Sequence, residues 1–211
     1  MKIEWVTVGP FQENSYLLSD ASTGRAVLID PGDEHARIIH MVRTAGVTPE
    51  AIWLTHGHLD HLGALAAIKR EWDVPVLLHP EDLPLYRRAA QQAAFYGLPF
   101  EQPRDPDRPL TNGELLTLGE SEFSVRHTPG HSPGHVVFVG EDVIIGGDLL
   151  FAGSIGRTDL PFSSPEAMEV SLGFIAGLDP RLVVYPGHGP PTTIGAELAS
   201  NPYLGHVNHA R

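Results

Sequence analysis

Three histidines and one aspartate fall within six residues in His56-Gly57-His58-Leu59-Asp60-His61. At this composition a chance run of that pattern is expected roughly two times in a thousand. The run follows the apolar segment 51–55, which reads as a strand. On extended backbone His56 and His58 are two residues apart, so both rings point to one side. Asp60 and His61 open a predicted helix, where the chain turns and their side chains converge on a second point. One short loop is thereby able to serve two metal ions. The chain has 12 His and no Cys. Disulfides, thiolate ligands and cysteine nucleophiles are excluded, so a metal site has to be built from imidazole and carboxylate.

A four-coordinate ion needs ligands from elsewhere in the chain. Three candidates follow other apolar segments. His131 lies in Thr128-Pro129-Gly130-His131 after segment 122–127. Asp148 follows Gly146-Gly147 after 143–145, and His188 follows Pro186-Gly187 after 182–185. Each sits at a predicted strand end beside a Gly or Pro that lets the chain turn, and strand ends meet at one edge of a sheet. A lone Asp or His on a turn is more often solvated; the repetition of the pattern is what argues for ligation. His35, His40, His206 and His209 are expected at the surface. His79, His127 and His135 are expected to be structural or to brace ligands.

The rest of the chain alternates strands and amphipathic helices. Strands are predicted over 3–8, 15–18, 26–29, 51–55, 74–78, 115–118, 122–127, 135–139, 142–145 and 182–185. Helices are predicted over 33–45, 60–72, 81–95, 165–177 and 194–200. In 33–45, Ile38, Ile39, Val42 and Ala45 fall at helical spacing, and Gly46 is a stop signal. Residues 97–114 carry Pro99, Pro103, Pro106 and Pro109 without periodicity. They read as a long surface loop, either an active-site cover or a tolerated insertion. Strand runs followed by helices occur once in each half. That pattern predicts an α/β protein with two sheets packed together and helices outside, a four-layer αββα sandwich forming a single domain over residues 1–211.

Charge narrows the partners. The 211 residues include 14 Lys and Arg against 26 Asp and Glu, a formal charge of −12. Duplex nucleic acid and anionic membranes are poor partners for such a chain, because binding them needs a basic face. No apolar run approaches the ~18 residues of a membrane span. Residues 1–11 lack the apolar stretch of a signal peptide, so a cytoplasmic location is expected.

Taken together, these motifs resemble the metallo-β-lactamase fold superfamily, and most closely its small glyoxalase II-like hydrolases. The resemblance rests on Asp30 in Leu28-Ile29-Asp30-Pro31-Gly32, the 56–61 loop, Thr128–His131, Gly147-Asp148, residues 153–160 (GSIGRTDL) and 186–195 (PGHGPPTTIG). It implies that His56, His58 and His131 hold one divalent ion. Asp60, His61 and His188 hold a second, and Asp148 bridges both. Zinc is the first expectation; iron or manganese suits the same ligands. Asp30 is implied to be a buried carboxylate that braces the metal loop. The implied chemistry is hydrolysis by a metal-bridging hydroxide, with Asp60 orienting it and no separate general base. A small thioester such as an S-acyl-glutathione is the implied substrate.

Several departures bear on that expectation. Typical glyoxalase II enzymes place a tyrosine two residues after the last metal histidine, where this chain has Pro190. The helical region that follows in those enzymes is expected to be absent. The thiol carrier is therefore left open. The lack of Cys and the Gly-Arg-Thr-Asp motif argue against β-lactamase activity. Two alternatives stand beside the hydrolase: a persulfide dioxygenase with one iron on His56, His131 and Asp148, and a non-catalytic metal-binding member. Arg157 is the candidate for gripping a substrate carboxylate, with an ion pair to Asp159 as the competing expectation. Tyr16, Phe151 and Phe162 are candidates for lining the pocket, with core packing as the stronger expectation for each.

Overall fold

The computed structural model describes residues 1–205. His206 and His209 lie outside the described residues. Two six-stranded sheets form the centre. The first contains β1 (Lys2–Val8), β2 (Glu13–Ser19), β3 (Arg25–Ile29), β4 (Thr48–Trp53), β5 (Val76–Leu78) and β6 (Arg108–Pro109), in that spatial order. Its first three strands are antiparallel, and β3 to β6 run parallel. The second sheet is built from β7 (Leu115–Leu118), β8 (Ser121–His127), β9 (Val136–Val139), β10 (Val143–Gly147), then β13 (Val183–Pro186) and β14 (Thr192–Thr193). Between them β11 (Leu150–Phe151) and β12 (Ser154–Ile155) make a small hairpin. The helices are α1 (His35–Ala45), α2 (Leu65–Glu71), α3 (Leu83–Tyr86), α4 (Ala89–Phe95), α5 (Pro165–Ala176) and α6 (Ile194–Ser200).

Strand alternation sorts the apolar side chains into three separate cores. Leu17, Leu28, Ile52 and Leu54 face outward from the first sheet, against Ile38, Val42, Leu65, Ile68 and Ala89 of the helices. Their neighbours Leu18, Val27, Ile29 and Trp53 face inward. There they meet Phe123, Val125, Val136, Phe138 and Ile145 of the second sheet. Val137, Ile144 and Val184 point out of the other side, onto Met168, Leu172 and Ile175 of α5 and Ile194 of α6. The layers are therefore helix, sheet, sheet, helix. Central strands buried on both faces explain the continuous apolar runs in the sequence. Helix α1 ends at Gly46, where φ is +71° and the backbone N–H donates to the Arg43 carbonyl. At α5 the Ser164 hydroxyl accepts a hydrogen bond from Ala167 N, and Pro165 opens the helix.

Three expectations require correction. The helix predicted over 60–72 begins only at Leu65; Leu59–His61 forms a single 3₁₀ turn instead. The cause lies at Gly63, where a Cβ would stand 2.4 Å from the Gly32 carbonyl oxygen. This close approach of two loops overrides the helical spacing and places Asp60 and His61 in a tight turn. The helix predicted over 81–95 is three pieces, a 3₁₀ turn at Pro80–Asp82 followed by α3 and α4. Residues 97–114 do not cover a site. They supply β6 to the open edge of the first sheet, where proline is tolerated, and they bury Leu110.

Gly63→Ala is expected to destabilise the protein by about 1–3 kcal/mol, because two backbone segments rather than a flexible side chain must give way. Thermal or denaturant unfolding measures it; an unchanged midpoint would show that the loops do not constrain each other.

Candidate metal centre

The site stands where β4, β8, β10 and β13 end. His56 and His58 follow β4, with Asp60 and His61 in the next turn. His131 follows β8, Asp148 follows β10 directly, and His188 follows β13. The structure brings all seven together. The ligand atoms of His56, His58 and His131 lie within 4.8 Å of one another, as do those of Asp60, His61 and His188. Asp148 stands between the groups. Its Oδ1 is 3.4 Å from His61 Nε2, and its Oδ2 is 3.4 Å from both His131 Nε2 and His188 Nε2. His188 Nε2 is also 3.4 Å from Asp60 Oδ2.

These donors fit metal ions. A ligand bond of about 2.0–2.1 Å in tetrahedral geometry sets ligand atoms roughly 3.3 Å apart. The 3.4 Å separations match that edge. Moreover, His56 Nε2, His61 Nε2 and Asp148 Oδ1 are buried without a hydrogen-bond partner. Leaving such atoms unpaired costs about 1–3 kcal/mol each, and a cation removes that cost.

In His56, His61, His131 and His188 the ring nitrogen that faces away from the centre is engaged. His56 Nδ1 meets Thr55 Oγ1 at 3.0 Å, and Thr55 Oγ1 donates to Asp30 Oδ2 at 2.6 Å. His61 Nδ1 is 3.0 Å from the same Asp30 oxygen, and Thr55 N donates to Asp30 Oδ1. His131 Nδ1 meets the Arg157 carbonyl at 2.9 Å, and His188 Nδ1 that of Phe11 at 3.0 Å. Outward N–H donation leaves each Nε2 with a lone pair for the centre. His58 differs, because its Nδ1 is the inward atom, 2.9 Å from His131 Nε2. His135 is buried, and its Nε2 accepts from Asp148 N at 3.0 Å, fixing the backbone of that carboxylate. Gly187 is required by contact: a Cβ there would stand 2.2 Å from Asp148 Oδ1.

Two supports were not legible in the sequence. Asp82 accepts from Gly57 N and Ser132 Oγ, both at 2.7 Å, and from Gly134 N at 2.5 Å. It ties the loop of His56 and His58 to the loop of His131. Glu13 lies buried 4.0 Å behind His61 and accepts from Ser15 Oγ. Burial pushes its carboxyl well above the usual range. A run of polar residues, Glu13-Asn14-Ser15, in a fully buried strand was the available signal.

Electrostatically the two groups differ. Burial drives His56 well down and His58 to about 3, with the neighbouring histidines adding to it. Burial also opposes charge on His61 and His188, but Asp148 and Asp60 outweigh it. His61 is lifted well up and His188 to about 10.

A cavity of about 650 Å³ opens over His58, Asp60, His131, Asp148 and His188. Phe151 and Phe162 line it, the lesser of the two expectations for them, whereas Tyr16 is buried between the sheets. Arg157 also lines it, but its guanidinium makes a two-point bond to Asp159 at 2.8 and 3.0 Å. The competing expectation for Arg157, an internal ion pair, describes that arrangement.

The match to the family model described as the metallo-beta-lactamase superfamily covers residues 8–188, and the chain belongs to that superfamily. Hydroxyacylglutathione hydrolase GloC of Haemophilus influenzae is 38% identical over 97% of this chain and 98% of its own length. The crystal structure of TTHA1623 in a di-iron-bound form is 47% identical, with a TM-score of 0.89 over 95% of this chain and 100% of that one. The crystal structure of BLEG-1 B3 metallo-beta-lactamase is 39% identical, also at 0.89, over 96% and 99%.

Two outcomes are expected. Asp82→Ala removes an acceptor from three donors and is expected to weaken metal binding about 10–100-fold, with about 2–4 kcal/mol of lost stability. Metal titration and unfolding read both, and an affinity within twofold of wild type would contradict the bracing role. Asp148 and Asp60 lift His61 and His188 above the ordinary imidazole range, so ligation by these two residues is expected to expel protons. Zinc binding is therefore expected to release protons and to strengthen as pH rises from about 6 to 8. Calorimetry in buffers of different ionisation enthalpy measures the release; heats independent of the buffer would contradict it.

Proposed function

We propose that this metallohydrolase-superfamily protein is a binuclear thioester hydrolase, acting on small thioesters of the S-acyl-glutathione kind. The observation that carries the reading is the pair of three-ligand groups that meet at Asp148. His56, His58 and His131 would hold one ion, Asp60, His61 and His188 the other, with Asp148 shared. Divalent ions in such a set supply Lewis acidity toward a carbonyl oxygen and lower the pKa of bound water to about 7.

The residues around the site favour a thioester. Besides the ligand candidates, the titratable groups lining the cavity are Arg88, Tyr96 and Arg157. Among the described residues no further carboxylate or imidazole lines it as a general acid. An amine or alkoxide leaving group needs a proton at departure, whereas a thiolate, with a thiol pKa near 8.5, leaves without one. Asp60 lines the cavity floor beside His188 and is placed to orient a water molecule against a bound carbonyl. A complete second group at Asp60, His61 and His188 supports two ions over the single iron of a dioxygenase.

Metal-free protein reloaded with zinc, iron or manganese is expected to release thiol from S-lactoylglutathione. His56→Ala is expected to lower the rate at least about a hundredfold. Full turnover in His56→Ala, or oxygen uptake with a persulfide in place of thiol release, would overturn the proposal. A nitrocefin assay run alongside distinguishes β-lactam cleavage.

A further inference from the structure

The cavity above the metal centre is larger and more aromatic than a short polar acyl group needs. Phe151 meets the ring of His188 edge-on at 5.9 Å. Farther out, Phe11 and Tyr96 pack edge to face at 5.3 Å, and Phe95 meets Tyr96 at the same distance. Phe95 is 84% exposed, Phe162 51% and Tyr96 50%. Large aromatics gathered in the open around one cavity are costly to leave wet and mark a binding surface. Phe162 adds a second sign. Its φ is +72°, a left-handed backbone that a bulky residue rarely adopts. The surrounding chain holds that strained conformation, and it sets the Phe162 ring at the cavity wall.

The charge at the wall is equally specific. Two guanidiniums line the cavity. That of Arg157 is bound to Asp159. That of Arg88 lies over the face of Phe162, 5.3 Å from the ring centroid, and among the described residues it has no carboxylate partner within ion-pair distance. Its neighbour Arg87 is paired with Asp105. In a chain of net charge −12, an unpaired cation at the mouth of the metal site is the natural seat for an anion.

Resting on the thioester reading, we infer that the cavity selects thioesters that carry an aromatic-sized apolar arm and one carboxylate, and that Arg88 is the specificity residue for that carboxylate. The aromatic walls bury the arm, and the ring of Phe162 holds the guanidinium in place for the anion. Arg157 contributes its carbonyl to His131, and its side chain is already spent on Asp159.

The test compares the phenylacetyl thioester of 3-mercaptopropionate with the acetyl thioester of N-acetylcysteamine, on metal-loaded enzyme. Wild type is expected to favour the first by tenfold or more in kcat/KM. Arg88→Gln is expected to cut that preference about fivefold, through KM rather than kcat. Arg87→Gln, which alters a charge outside the cavity, is expected to keep it. Binding of naphthalene-1-sulfonate, read by calorimetry, provides a measure that does not depend on turnover. Arg88→Gln is expected to weaken it about fivefold relative to a neutral naphthalene amide. If no thioester is cleaved but sulfonate binding still depends on Arg88, the anionic aromatic site stands and the thioester reading falls. If thioesters are cleaved while Arg88→Gln changes neither preference nor binding, the role of Arg88 is overturned.

Discussion

A single buried carboxylate holds the centre of this molecule in register. Asp30, at the end of β3, accepts from the backbone and hydroxyl of Thr55 and faces Nδ1 of His61. Through Thr55 it also reaches His56. The ion-facing nitrogens of both histidines are thus aimed by one group that lies on the neighbouring parallel strand. Without that anchor the 56–61 loop would be a connection with four polar side chains to solvate. With it, the loop becomes a rigid edge onto which the second sheet brings His131, Asp148 and His188.

The same edge creates an electrostatic problem that a cation resolves. Burial disfavours every charge there, yet His61 and His188 hold the carboxyls of Asp60 and Asp148 below the usual range and are themselves lifted in return. On the other side His56 and His58 are kept neutral. On the binuclear reading proposed above, one group would receive an ion directly and the other would exchange protons for it. Asp148 touches both, so the occupancy of one site bears on the other. The positions of Asp82 and His135 make this geometry stiff, because they fix the loops rather than the ligands themselves.

The sequence made much of this legible because the ligands lie at strand ends beside glycine or proline, and strand ends of packed sheets meet. Apolar runs buried on both faces gave the layers. Other features depend on contacts distant in the chain. The 3₁₀ turn at Leu59–His61 follows from the approach of Gly63 to Gly32, which no local periodicity encodes. Strand β6 is two residues long and reads as loop. Asp82 is one acid among many until three donors converge on it. Phe162 looks like core by residue type, and its exposure, its backbone conformation and its place beside Arg88 show otherwise.

The central claim is that one carboxylate joins two metal groups at a single edge of the sandwich. Anomalous diffraction from crystals loaded with zinc or iron tests it most directly. Two peaks are expected, one within ligand distance of His56, His58 and His131, the other of Asp60, His61 and His188, with Asp148 in contact with both. A metal peak outside these groups, or an Asp148 that touches neither ion, would contradict the account.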